Sequence, residues 1–378
     1  MSASSQRSAG WRAGLAHAEA ATCLGETLEE TALLLRAGIS GVGLTDFVDA
    51  QGRRVMGCAS PALPPDLPAR ERLLALAVHA LTGVARRRAA DARARPDRPP
   101  ILLLGLPARF ALEPQSYELN VAGRDFVQRL AAALPAPFAG ADIEAFPFGR
   151  AAGAIAMARA LQLAESRREV IWGGVDSLLH WPTLEALQQR ERLLTMENID
   201  GVRPGEAAAF AMVTHEAREG GWVAGLGLGR EAHPVGSDAP CRSDGFAQAL
   251  SAAVAPLRAA GRRCALWAMD ASHERHATRE VQNVIARFGD VLDPGTDLRM
   301  PLKELGDVGA AALPLMVALT LQDWAHGVAR DELAVLAAGS DDGARGALLL
   351  AAGDPAAAGA RPRTSSAAST SDRQEVPA

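Results

Sequence analysis

The chain has 378 residues, 48% of them hydrophobic, which is enough to bury a large core and suggests two domains or one double-lobed unit. A formal charge of -5 and a pI near 6.0 give no electrostatic basis for nucleic-acid binding. No window reaches the length of a transmembrane span and the N-terminus lacks the apolar core of a signal peptide, so no membrane partner and a cytoplasmic protein are expected.

Taken in chain order, a basic cluster comes first: Arg86-Arg-Arg88, Arg93, Arg95 and Arg98 lie in a proline-bearing connection between an apolar helix and a strand at 101–104. It reads as a solvated linker. A helix rich in small residues follows at 154–163. Next, Val170-Ile-Trp-Gly-Gly-Val-Asp-Ser-Leu-Leu179 contains an apolar run ending in a glycine pair, the pattern of a buried strand whose end passes close to other backbone. Asp200-Gly201 and Pro204-Gly205 are turn dipeptides, and 207–213 is a second apolar run of strand length. Alternation of strand, turn and helix signals predicts an α/β fold.

Several chemical motifs are discounted. Gly225-Leu-Gly-Leu-Gly229 follows a strand-like Trp222-Val-Ala but precedes a loop, so the helix dipole of a phosphate site is missing. His273-Glu-Arg-His276 would place two imidazoles on one helix face, with Glu280 one turn on; without further ligands it reads as an exposed polar helix start. Cys23, Cys58, Cys241 and Cys264 have no metal-binding spacing and read as reduced, half-buried thiols. No Gly-x-Ser-x-Gly elbow is present, and no metal or cofactor is expected. The tail from Gly353, rich in Ala, Ser, Thr and Pro, is expected to be disordered.

The 170–179 and 200–213 segments resemble those flanking the nucleophile of the thiolase-like β-ketoacyl synthases. Other motifs follow in order: Thr22-Cys-Leu-Gly-Glu-Thr27, Leu35-Arg-Ala-Gly-Ile-Ser-Gly41, Leu266-Trp-Ala-Met-Asp270, Leu305-Gly-Asp-Val-Gly-Ala-Ala311, and a final turn and strand at 339–350 that lacks the family's gating phenylalanine. The resemblance covers roughly residues 15 to 352 and implies two similar α/β halves, 1–215 and 216–352, in a five-layer αβαβα arrangement, with 353–378 as tail. No convincing repeat is visible in the sequence itself.

Aligned on these motifs, the family's cysteine falls at Phe148, its first histidine at Met269 or Asp270 and its second at Asp307. Claisen condensation needs a thiolate to carry the acyl group and two neutral imidazoles to stabilise developing negative charge. Phe148 cannot be acylated, and ionised Asp270 or Asp307 would repel that charge. No catalytic residue is therefore expected. Lys303 is the only lysine beside 38 arginines and stands four residues before Asp307, where the family has a lysine five before. Either it is a stray exposed lysine, or it pairs with Asp307 or Asp270 because a compact ammonium fits where a guanidinium fork does not.

The resemblance implies a thiolase-like pseudoenzyme that binds a protein partner. The segments at Asp270 and Asp307 are similar to a degenerate group found beside type VI secretion effector genes, which suggests an effector accessory or co-chaperone. The alternatives are a non-catalytic subunit of a ketosynthase heterodimer, like a chain-length factor, and a residual acyltransferase using Cys58, Cys241 or Cys264. The heterodimer alternative implies a dimer face near residues 139–146; a homodimer pairing through a central strand is the expected default.

Overall fold

Strands that carry Ala, Val, Leu and almost no charge can be stable only if both faces are covered. That holds for β6 (Val170–Ser177), β7 (Glu206–Thr214), β11 (Leu333–Gly339) and β12 (Ala344–Ala351), which are buried along essentially their whole lengths. The computed structural model describes residues 13–91, 99–108, 117–215 and 220–353. Arg93, Arg95, Arg98 and the tail beyond Gly353 lie outside the described residues.

The remaining strands of the main sheet are β1 (Ala13–Thr22), β4 (Ile101–Gly105), β5 (Ile143–Phe146), β8 (Gly221–Arg230), β9 (Cys264–Met269) and β10 (Leu292–Arg299), while β2 (Gly43–Val48) and β3 (Arg54–Gly57) form a separate hairpin. The sheet order is β10-β9-β11-β12-β8-β1-β7-β6-β4-β5. Outward from the β8/β1 junction, each side runs first, fifth, fourth, second and third strand of its own half. The junction is antiparallel, with Ala13 opposite Val223 and Leu15 opposite Gly221. The repeat absent from the sequence is thus present in the topology.

Helices α2 (Ala69–Ala89) and α3 (Tyr117–Ala133) cover the outer face of the first half. Helices α6 (Asp244–Ala253) and α8 (Arg275–Arg287) cover that of the second. Between the half-sheets run α4 (Ala152–Glu165) and α10 (Ala312–Ala325), each touching strands of both halves or the opposing helix. These are the five layers of an αβαβα fold. Alanines at 154, 156 and 160 of α4 are fully buried, and Trp172 of β6 donates to the Gly153 carbonyl at 2.8 Å, so small side chains let helix and sheet approach closely. A 3-10 turn introduces each central helix, at Gly149–Ala151 and Gly309–Ala311, and both turns begin on a left-handed glycine (φ +59° and +49°).

The glycine run belongs to β8 and is followed by a loop at 231–236, as the sequence suggested; glycines 225, 227 and 229 face α6. A Cβ on Gly227 would lie 1.8 Å from the Ala249 carbonyl oxygen, so the glycines let a helix backbone rest on the strand. The basic cluster also differs from a solvated linker where it is described. Arg87 and Arg88 belong to α2, Arg88 is buried and pairs with Glu169 at 2.8 Å, and Arg87 pairs with Glu19 at 3.1 Å. Among the described residues no helix is long and apolar enough to cross a membrane.

Because the clash at Gly227 is with helix backbone, Gly227→Ala should destabilise the fold by about 1–3 kcal/mol or more, as overpacking does. Urea denaturation checks this, and an unchanged midpoint would refute the close approach.

Candidate functional site

The N-termini of the two central helices meet at the centre of the molecule, so residues around the two 3-10 turns share one site. Arg150 lies in the first turn and Asp307 just before the second. Asp270 follows β9, and Ser340 and Asp341 follow β11. Each arrives where a buried strand or helix stops, the usual position for polar groups in an α/β fold.

Arg150 organises them. Its Nη1 donates to Asp307 Oδ2 at 2.5 Å, its Nη2 to Asp341 Oδ1 at 2.6 Å and its Nε to the Gly339 carbonyl at 2.8 Å, with Asp270 Oδ2 3.5 Å from Nε. Burial works against this charge, but Asp307, Asp341, Asp270 and Glu274 more than offset it and hold the guanidinium firmly protonated. The aspartates are tied to backbone as well: Asp307 Oδ1 accepts from the Gly309 N–H at 2.9 Å and Asp270 Oδ2 from the Gly339 N–H at 2.8 Å. Arg192 extends the network, bridging Asp341 at 2.7 Å and Glu274 at 2.7 and 2.8 Å. Burial opposes ionisation of Asp341, yet Arg150 and Arg192 bring its pKa far below the usual carboxylate range.

Phe148 stands immediately before the first turn and is 39% exposed. Its carbonyl accepts from the Ser340 hydroxyl at 2.5 Å, and Ser340 Oγ accepts from the Ala151 N–H at 2.8 Å. A serine therefore satisfies backbone polar groups on both sides of this turn.

Phe148, Asp270 and Asp307, widely separated in sequence, are brought together; Lys303 is not. It is exposed on the short helix at Leu302–Leu305, where its carbonyl accepts from Arg203 at 3.1 Å. The cation between the aspartates is Arg150. A guanidinium fits because its acceptors arrive from three separate segments, matching the fork's diverging N–H groups, which an ammonium would not span. Burial, then Arg203 and Lys303, depresses the basicity of His273.

Glu206 is wholly buried and structural: Arg72 Nε lies at 2.9 Å, and the Ser60 N–H and Ser177 hydroxyl each donate at 2.8 Å. None of Cys58, Cys241 and Cys264 lines the cavity beside Arg150. Cys58 and Cys264 are buried, and burial followed by Asp331 pushes the Cys264 thiol up to about 12. His273 precedes the Glu274 cap and so does not share a helix face with His276.

No family model and no curated protein matches the sequence. Solved structures do match. One titled as the ishigamide ketosynthase/chain length factor has a TM-score of 0.72 at 17% identity, covering 92% of this chain and 100% of that one. The chain has a thiolase-like ketosynthase fold. A ketosynthase in complex with its chain length factor from Xenorhabdus doucetiae gives 0.67 at 17% identity, covering 93% and 100%. A β-ketoacyl synthase from Burkholderia phymatum gives 0.66 at 14% identity, covering 91% and 100%. The Arg150 cluster thus sits on this fold where the central helices of the two halves begin.

Burial raises the Asp270 carboxyl to about 6, against the downward pull of Arg150, the Gly339 N–H and Arg345. Between the unfolded value of 3.8 and about 6 the native state holds the extra proton, so stability falls as pH rises through this window. Relative to Asp270→Asn, the native protein should lose on the order of 3 kcal/mol between pH 4 and pH 7. Parallel urea-midpoint profiles for the two proteins would refute this.

Proposed function

We propose that the chain is a non-catalytic ketosynthase-like subunit that acts by binding a protein partner, in the manner of a chain length factor. The observation that carries this reading is the Arg150 cluster. On the motif alignment, Phe148 stands for the nucleophile and Asp270 and Asp307 for the two histidines, and the space between them holds a guanidinium bound to both aspartates. Such a site has no thiol to acylate. No imidazole stands at the two histidine positions to donate to an enolate, and the aspartates there already serve as acceptors for Arg150 and for backbone N–H groups. Lys303 has no part in this chemistry.

Binding needs a surface, and β5 supplies one at the end of the sheet. The carbonyls of Asp142 and Phe146 accept from β4, so Ala145, which alternates with them, turns its backbone polar groups to the outer edge. A second copy of the chain or an active synthase could pair there. Two of the structural neighbours are titled as ketosynthase and chain length factor together, which favours a synthase partner over a type VI secretion effector.

The test is intact-protein mass spectrometry after incubation with acetyl and malonyl thioesters of coenzyme A and acyl carrier protein. We expect the unmodified mass throughout and no decarboxylation of malonyl thioester. A stable acyl adduct, lost on substitution of one residue, would contradict the proposal and identify a nucleophile.

A further inference from the structure

We propose that Cys241, His276 and Glu280 form a binding site for a zinc-class divalent cation, independent of the reading given above and about one side-chain layer from the Arg150 cluster. His276 and Glu280 are four residues apart on α8 and therefore share a face. Cys241 reaches them from the loop before α6. Its Sγ lies 3.5 Å from Glu280 Oε1, a ring nitrogen of His276 lies 3.6 Å from Oε2, and one ligand atom from each residue falls within 4.8 Å of the others. A thiolate, an imidazole and a carboxylate in that spacing suit a borderline-soft ion in tetrahedral coordination.

Three further features favour a cation here. The His276 nitrogen 3.6 Å from Glu280 is Nδ1, and the other, Nε2, is buried with no hydrogen-bond partner among the described residues, so the imidazole retains an unused nitrogen. Arg345 grips Glu280 from the other side, with Nη2 at 3.0 and 3.1 Å and Nε at 3.2 Å, and so holds the carboxylate in a fixed orientation as outer-shell partners of metal ligands do. The cavity lined by His276 and Glu280 also carries more carboxylates than guanidinium groups: Arg150, Arg192 and Arg345 face Asp270, Glu274, Glu280 and Asp341. His276 and Glu280 line that cavity and Cys241 does not; its free volume of about 20 Å³ has room for one water beside them.

In the metal-free protein Cys241 is a thiol. Burial and the charges of Glu280 and Glu231 push its pKa up to about 11 despite a hydrogen bond from the Ser243 backbone. That makes it a poor nucleophile at neutral pH, whereas a cation would form a bond to sulfur and release the thiol proton to solvent. Binding should therefore weaken as pH falls.

The experiment uses the full chain, stripped with a chelator and titrated with cobalt(II) as a coloured substitute for zinc. One equivalent should produce a thiolate-to-cobalt charge-transfer band, and zinc should displace it. Cys241→Ser and His276→Gln, each checked for native circular dichroism, should abolish the band; Cys264→Ser should retain it. The proposal is overturned if the native chain shows no band at millimolar cobalt, or if folded Cys241→Ser still shows it.

Discussion

A guanidinium taken out of water costs several kcal/mol unless its N–H groups and its charge are met, and at Arg150 every direction of the fork is met, by acceptors from two distant segments of the chain. Asp307 comes from the segment leading into α10, Gly339 and Asp341 from the end of β11, and Arg150 itself from the turn that starts α4. The two halves are thus joined at their centre by charge as well as by the apolar contacts between helices. Were the halves to shift, acids and base would be buried unpaired. The layering brings the two helix starts together, and the cluster requires them to stay there.

The cluster also accounts for the form of the site. The turn preceding α4 presents Phe148, whose side chain has no reactive atom, and Ser340 occupies the backbone groups beside it. Asp307 is held by the Gly309 N–H of its own turn and Asp270 by the Gly339 N–H at the end of β11, so their orientation is set by the fold. The same centre leaves β5 at the far edge of the sheet, where pairing would not disturb it.

Much of the fold was legible from residues 170–179 and 200–213, because strands buried on both faces must be apolar throughout and must end on glycine or turn dipeptides. Phe148, Asp270 and Asp307 could be brought together on motif order alone. Arg150 was written in the same segment as Phe148 and was passed over. The signal was present: an arginine inside a run of small apolar residues, with two aspartates at unexpected positions, demands charge balance. Lys303 attracted attention for its rarity, which reflects composition and says nothing about burial. Cys241 was invisible as a ligand because it lies 35 residues before His276 with a strand between them, so no spacing rule joins them. The twofold repeat was hidden because topology can be preserved while residues diverge, although the left-handed glycines before α4 and α10 recur in both halves.

The central claim is that Arg150 exists to neutralise Asp270 and Asp307. The most direct measurement compares urea unfolding of Arg150→Met with that of the same substitution combined with Asp270→Asn and Asp307→Asn. Leaving buried carboxylates without their cation should cost about 3–5 kcal/mol, and removing their charge should restore most of it. If Arg150→Met is neutral, or if the added substitutions bring no recovery, the cluster is not the constraint described here.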